Sequence, residues 1–168
     1  AQQERGVFRA AGDRPGLVGA GIREEHEREH LWTGVDPNTG PALDALLDAG
    51  FRLGVISNAD GRMEGAIEQA GLRDRFEFVI DSEIQGVSKP DPGIFHAATG
   101  RLGLPPSECL YVGDLYPVDV IGARGAGLDA VLLDPLGVLD FPVDRIPTVA
   151  DLPEFLEMRH PEDKPAAG

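Results

Sequence analysis

Cysteine is almost absent from this 168-residue chain, which contains a single one, Cys109. A framework of disulfides is therefore excluded, and a cytoplasmic location is the default expectation. Cys109 begins an apolar run, where a lone cysteine is more often a small core residue than a nucleophile. Both interpretations stay open on the sequence alone.

Basic residues are also few, because 15 lysines and arginines stand against 29 aspartates and glutamates, for a formal net charge of −14 at pH 7. This balance argues against a nucleic-acid partner, whose phosphates would be repelled. A small anionic substrate is not excluded, since a metal ion and one lysine can reverse the field locally. No apolar run approaches the roughly 20 residues of a membrane span, and no stretch resembles a signal peptide. We expect neither a nucleic-acid nor a membrane partner.

Short apolar runs alternate with helical patterns over most of the chain. The patterns predict strands over 51–56, 76–80, 109–112 and 130–133, and helices over 43–50, 62–70, 92–102, 118–126 and 151–158, with loops over 81–88 and 135–150. Such alternation is typical of βαβ units. We therefore predict an α/β fold, a three-layer Rossmann-like parallel sheet with helices on both faces.

The two ends of the chain differ from this pattern. Residues 22–32 carry dense charge of both signs, which favours a solvated helix with pairs at i and i+4. A homodimer through this helix is compatible with the sequence, which does not decide it. Residues 161–168 are predicted to be a frayed tail, and residues 35–160 to be the folded core.

Polar side chains follow three apolar or loop segments of the predicted core: Ser57 and Asn58 in LGVISN, Lys89 in KPDPGIF, and Asp114 and Asp119 in GDLYPVD. Ligands of open α/β sheets bind at the carboxyl ends of the strands, where these residues are expected to lie. Two carboxylates close together suit Mg²⁺. A hydroxyl, a lysine and a metal around one point suit phosphoryl transfer. The alternative is that Asp114 is only a turn residue and Asp119 an acid at a helix N-terminus.

These three motifs together resemble those of the haloacid dehalogenase-like hydrolase superfamily, whose members are mostly Mg²⁺-dependent phosphatases. The resemblance runs from about residue 41 to 156 and implies a role for each motif. Ser57 would hydrogen-bond the transferring phosphoryl group, with Asn58 beside it in substrate binding, and Lys89 would be the cation that holds nucleophile and phosphate. Asp114 would be a metal ligand and Asp119 a supporting one.

The chain departs from the family at its first motif, a strand ending in DxD whose first aspartate attacks phosphorus. No DxD motif occurs in this sequence. In the most similar segment, residues 7–13, Arg9 would occupy the nucleophile position. Arginine cannot perform covalent phosphoryl transfer. We expect residues 1–34 to be the remnant of the family's helical cap, the nucleophile to lie outside this chain, and this chain alone to be inactive.

The predicted function is that of a Mg²⁺-dependent phosphatase of a small phosphomonoester, acting through an aspartyl-phosphate. Two alternatives remain. A haloacid dehalogenase would share the serine, asparagine and lysine but would use no metal, and GDLYPVD argues against it. A degenerate, non-catalytic family member would bind a ligand through the same crevice, although no structural need accounts for Ser57, Lys89, Asp114 and Asp119 together.

Overall fold

Strands and helices alternate along the chain in the computed structural model, which describes Arg5–Gly6 and residues 35–159. The strands are β1 (Arg5–Gly6), β2 (Gly54–Ser57), β3 (Phe78–Asp81), β4 (Leu110–Gly113), β5 (Asp129–Leu133) and β6 (Asp144–Ile146). The helices are α1 (Thr39–Asp48), α2 (Met63–Gln69), α3 (Ser82–Gln85), α4 (Pro92–Leu102), α5 (Ile121–Gly125) and α6 (Leu152–Arg159).

The described strands form two sheets of three strands each. One has the order β1-β2-β3, with β2 and β3 parallel, and the other has the order β4-β5-β6, with all three strands parallel. Helix α1 packs against α6, and α4 packs against α5, so helices cover both faces. The predicted α/β fold with parallel strands between helices is confirmed.

The short strand β1 lies against the side of β2 that β3 leaves open. It runs antiparallel to β2, with Arg5 opposite Ser57 and Gly6 opposite Ile56. The remaining residues of the predicted cap remnant, and the predicted tail, lie outside the described residues.

Within residues 35–159, one hydrophobic core joins the two sheets. It contains buried residues of every major element, among them Leu43 of α1, Ile56 of β2, Phe95 of α4, Val112 of β4 and Leu132 of β5. Strands buried on both faces read as continuous apolar runs, as the strand segments of this sequence do. No helix of the described residues is long and apolar enough to cross a membrane.

Helix boundaries follow the local signals in the sequence. The predicted ends of the first two helices are confirmed, because Gly50 and Gly71 follow α1 and α2 with φ of 84° and 68°, the left-handed conformation that ends helices. Helix α4 begins at Pro92, and the Asp91 carboxylate accepts a hydrogen bond from the Gly93 amide at 2.8 Å.

Three local predictions were wrong. The segment over 81–88 contains the helix α3, whose N-terminus is capped by the Asp81 side chain, and the loop after β5 contains β6. The predicted helix over 118–126 begins instead as a π-helical turn, Tyr116–Val120, before α5. A single cap and a three-residue strand between prolines give little periodic signal, which is why the sequence pattern missed them.

Gly54 of β2 offers a test of the packing. A Cβ on Gly54 would lie 2.3 Å from the Phe78 ring, whereas a Cβ on Gly65, exposed in α2, would meet no atom within 4 Å. We expect Gly54→Ala to lower the free energy of unfolding by about 1–3 kcal/mol through overpacking, and Gly65→Ala to raise it by about 0.5–1 kcal/mol through helix propensity. Urea unfolding measures both. Equal stability of the two variants would contradict the packing described here.

Candidate active site

The carboxyl ends of the parallel strands carry a row of polar residues. Ser57 ends β2 and lies opposite Asp81, which ends β3, while Asp114 and Asp134 follow β4 and β5. Asp81 and Asp134 are buried, and their carboxylates accept hydrogen bonds from backbone amides of the neighbouring loops. Those two acids therefore stabilise the loops at this edge of the sheets, and the predicted residues Ser57 and Asp114 lie at the same edge.

Lys89 and Asp119 form a fully buried ion pair beside this edge. The distance from Lys89 Nζ to Asp119 Oδ1 is 2.7 Å, and both side chains are 0% exposed. Removing two charges from water is costly, and such a pair is stable only if further hydrogen bonds satisfy both groups. The sequence predicted the two residues for one site, and the structure brings them into direct contact.

The second oxygen of Asp119 holds the turn that follows β4. Asp119 Oδ2 accepts hydrogen bonds from the amides of Asp114 and Leu115, each at 3.0 Å. The carboxylate packs so closely on Gly113 that a Cβ there would lie 2.3 Å from Asp119 Cγ. The glycine of GDLYPVD is thus required because the last aspartate of the motif folds back over it.

Asn58 joins the end of β2 to Lys89 through the backbone. Its side-chain amide donates to the Lys89 carbonyl at 3.0 Å, and its Oδ1 accepts from the Lys89 amide at 2.8 Å. The Lys89–Pro90 peptide bond that follows is cis. The described contacts of Asn58 therefore position Lys89, and the direct contact with substrate expected from the sequence stays a prediction.

Ser57 differs from its neighbours in one respect. Its side chain is 0% exposed, and its Oγ has no hydrogen-bond partner in the structure of the described residues. Buried hydroxyls are normally paired, and an exception calls for a functional or structural reason. An unsatisfied hydroxyl at the carboxyl end of a central strand is placed to donate to a ligand.

The acids of the site fit a magnesium ion only with help from other ligands. Asp114 is half-buried at the strand end, while both oxygens of Asp119 already accept hydrogen bonds. The described residues contain no group of three or more His, Cys, Asp or Glu side chains arranged to hold a metal. Because Mg²⁺ at phosphoryl-transfer sites is usually held by one or two carboxylates, waters and substrate phosphate, this donor set suits it.

Tyr111 of β4 belongs to the site and was missed in the sequence. It is fully buried, its hydroxyl donates to Asp119 Oδ1 at 2.9 Å, and it accepts from Lys89 Nζ at 2.9 Å. In the sequence, Tyr111 lies within an apolar run and is therefore predicted to be an ordinary core residue of a strand. The available signal was its phenolic hydroxyl, since a buried tyrosine usually finds a polar partner.

Cys109, for which the sequence left a role as nucleophile open, lies in the core. Burial raises the pKa of its thiol to about 12, the nearby Glu108 carboxylate adds to the rise, and Arg52 opposes it. The thiolate is the reactive form, so this cysteine is inert at neutral pH. The interpretation of Cys109 as a small core residue is therefore favoured.

Thiol reactivity tests this assignment. At pH 8 a thiol of pKa about 12 has a thiolate fraction about a thousandfold smaller than an ordinary cysteine. We expect the native protein to react with a disulfide reagent at least that much more slowly than the urea-unfolded protein, followed by absorbance. Similar rates in both states would show that Cys109 is accessible and activated.

Comparisons with known proteins agree on one family. The family model described as haloacid dehalogenase-like hydrolase matches residues 3–127. The chain is 38% identical to haloacid dehalogenase-like hydrolase domain-containing protein 3 of Xenopus laevis, over 68% of this chain and 46% of that protein. It is 37% identical to glyceraldehyde 3-phosphate phosphatase of Methanopyrus kandleri, over 70% of this chain and 51% of that protein. The chain thus spans about half the length of these curated relatives.

Solved structures give the same fold. A HAD phosphatase from Thermococcus onnurineus superposes with a TM-score of 0.69 at 33% identity, over 73% of this chain and 58% of that one. A 2-haloacid dehalogenase from Pseudomonas syringae pv. Tomato superposes with a TM-score of 0.64, also at 33% identity, over 74% of this chain and 54% of that one. The fold similarity therefore extends to phosphatases and dehalogenases alike.

Proposed function

Since this chain belongs to the haloacid dehalogenase-like hydrolases, we propose that it carries the phosphoryl-binding half of a Mg²⁺-dependent phosphatase. The substrate is a small phosphomonoester. The observation that carries the proposal is the fully buried hydroxyl of Ser57, which has no hydrogen-bond partner among the described residues and lies at the same strand edge as the Lys89–Asp119 pair. The phosphatase relatives support the reaction class.

Each residue has a role that its contacts support. Ser57 Oγ donates to a phosphoryl oxygen, and Lys89 neutralises charge that grows on the phosphoryl group in the transition state. Asp119 keeps Lys89 in place and holds the Asp114 turn, so it supports the metal site indirectly. Asp114 would supply a carboxylate for Mg²⁺, and the bound ion would neutralise negative charge on the phosphoryl group.

The attacking group is proposed to come from outside this chain. An aspartate oxygen forms a bond to phosphorus as the bond to the ester oxygen breaks, and a general acid protonates the leaving alcohol. Water then hydrolyses the aspartyl-phosphate and regenerates the carboxylate. Because the sequence contains no DxD motif, we expect this chain alone to bind phosphate without turnover.

The dehalogenase alternative predicts different binding. The similarity to the Pseudomonas dehalogenase keeps it open, and Asp114 in GDLYPVD favours the metal-dependent reaction. Mg²⁺ should increase the affinity for inorganic phosphate if the phosphatase proposal is right, whereas a dehalogenase site should bind a 2-haloacid without metal. A non-catalytic relative would bind its ligand whether or not a nucleophile were supplied.

Ser57→Ala separates function from stability. The variant removes a buried hydroxyl that has no partner among the described residues, so we expect unchanged or slightly higher stability. It also removes one donor to phosphate, which should weaken binding of inorganic phosphate in Mg²⁺ about three- to tenfold by calorimetry.

Ser107→Ala is the matched control, because Ser107 is exposed in the 3-10 turn Pro106–Glu108, before the amino end of β4. It should change neither quantity. If Ser57→Ala destabilises the protein and leaves phosphate affinity intact, the hydroxyl is structural and the proposal loses its main support.

A further inference from the structure

The segment 58–63, which joins β2 to the first residue of α2, is bound by the carboxylate at the end of β3. Asp81 Oδ2 accepts hydrogen bonds from the Gly61 amide at 3.0 Å and from the Met63 amide at 3.2 Å. Its Oδ1 accepts from the Glu83 amide at 3.0 Å and so caps α3. Asp81 is only 4% exposed, and its buried charge is therefore stabilised by three backbone N–H groups.

Two further side chains bind the same segment. The Ser82 hydroxyl accepts a hydrogen bond from the Ala59 amide at 3.0 Å and donates to the Ala59 carbonyl at 3.2 Å. The Asn58 side chain bonds the amide and the carbonyl of Lys89. The segment 58–63 is therefore attached to the start of α3 on one side and to the backbone of Lys89 on the other.

These contacts connect Asp81 to the proposed phosphoryl site. Ser57 directly precedes the segment, and Lys89 is held by the first residue of the segment, Asn58. A shift of the segment would move Asn58, and with it the backbone of Lys89. The hydrogen bonds of Asp81 to the segment therefore act on Lys89 through Asn58.

The charge of Asp81 is unfavourable at this place. Asp81 lies opposite Ser57 in the parallel register of β2 and β3, and neighbouring strands are about 4.8 Å apart. A carboxylate so close to Ser57 repels an anion that this serine binds. If Asp81 supports anion binding, it therefore does so through its contacts and against its charge.

We propose that Asp81 is a positioning residue of the phosphoryl site, which together with Ser82 fixes the segment 58–63 and so holds Asn58 and Lys89 in place for a bound phosphoryl group. The inference rests on the proposed function for the identity of the anion, whereas the positioning can be measured without any ligand. Loss of the carboxylate removes the acceptor of two amides in the segment. The segment then moves more freely, and the phosphoryl site is less well ordered before binding.

Asp81→Asn and Asp134→Asn are a matched pair of variants. Asp134 directly follows β5, is 5% exposed, and accepts hydrogen bonds from the Val138 and Leu139 amides at 3.3 and 3.0 Å. Each variant replaces a buried carboxylate by an amide, which presents N–H groups where an acceptor is needed. The loop that Asp134 holds contains none of the residues proposed to bind the phosphoryl group. The comparison therefore isolates the effect of the segment 58–63.

The first measurement is amide hydrogen exchange of the ligand-free protein, followed by NMR. The Lys89 amide donates to Asn58 Oδ1 at 2.8 Å. Asp81→Asn should speed its exchange, relative to the amides of β5, about three- to tenfold, the value of one hydrogen bond. Asp134→Asn should change it less than about twofold. If Asp81 were only a local cap, the amides bonded to it would exchange faster and the Lys89 amide would not. An unchanged Lys89 amide in Asp81→Asn, or an equal change in both variants, overturns the proposal.

If Asp81→Asn does not fold, Ser82→Ala decides the matter. This milder variant removes both contacts to Ala59 and keeps the Asp81 carboxylate. The Lys89 amide should again exchange faster than in the wild type, relative to the amides of β5. An unchanged rate contradicts the positioning of Lys89 through the segment 58–63.

The second measurement is calorimetric binding of inorganic phosphate in Mg²⁺. Charge alone predicts tighter binding by Asp81→Asn, because the variant removes a negative charge beside the anion. Positioning predicts weaker binding, by about three- to tenfold, and a change of less than about twofold in Asp134→Asn. Equal or tighter binding by Asp81→Asn contradicts this inference and leaves the proposed function standing. No binding by the wild type contradicts the proposed function, and the exchange of the Lys89 amide then decides the role of Asp81 by itself.

Discussion

The buried ion pair between Lys89 and Asp119 is the interaction on which the site depends. The Asn58 side chain, at the end of β2, hydrogen-bonds the backbone of Lys89. The Asp119 carboxylate accepts hydrogen bonds from the backbone amides of the turn after β4. The pair thus links the carboxyl edges of the two sheets at 2.7 Å. Breaking a buried pair by removing one partner commonly costs about 3–5 kcal/mol, because a charge is left uncompensated. The edge is therefore held rigid before any ligand arrives.

This rigidity suits the chemistry of phosphoryl transfer. The chain carries a formal net charge of −14, so an anion binds only where fixed donors reverse the local field. Ser57 supplies a buried hydroxyl that has no partner among the described residues. Lys89 supplies an ammonium group that is held by hydrogen bonds to Tyr111 and Asp119. Donors that are already in place do not need to reorganise during the reaction, which is the main source of electrostatic catalysis.

The parts of the fold that the sequence predicted are those with local signals. Continuous apolar runs indicated the strands, and a glycine or an aspartate-proline pair marked the ends and starts of helices. The polar residues at strand ends were also predicted, because parallel strands bring their carboxyl ends to one edge. The contact of Lys89 with Asp119 agrees with the motifs that carried the family resemblance.

The contacts that the sequence did not predict are non-local. The Asn58 side chain binds the backbone of a residue 31 positions away, and no periodicity encodes such a pair. Tyr111 was predicted to be an apolar strand residue because it lies in an apolar run. Its hydroxyl, however, hydrogen-bonds both Lys89 and Asp119. The π-helical turn at Tyr116–Val120 replaces a regular first turn where Asp119 folds back over Gly113, and π-turns often occur at functional sites.

The most direct test of the account is a crystal structure of the protein with Mg²⁺ and tungstate, a mimic of phosphate. We expect the anion to lie about 3 Å from both Ser57 Oγ and Lys89 Nζ, with the metal ion bound to the Asp114 carboxylate. An anion bound elsewhere, with Ser57 and Lys89 making no contact to it, would contradict the assignment of this edge as a phosphoryl site.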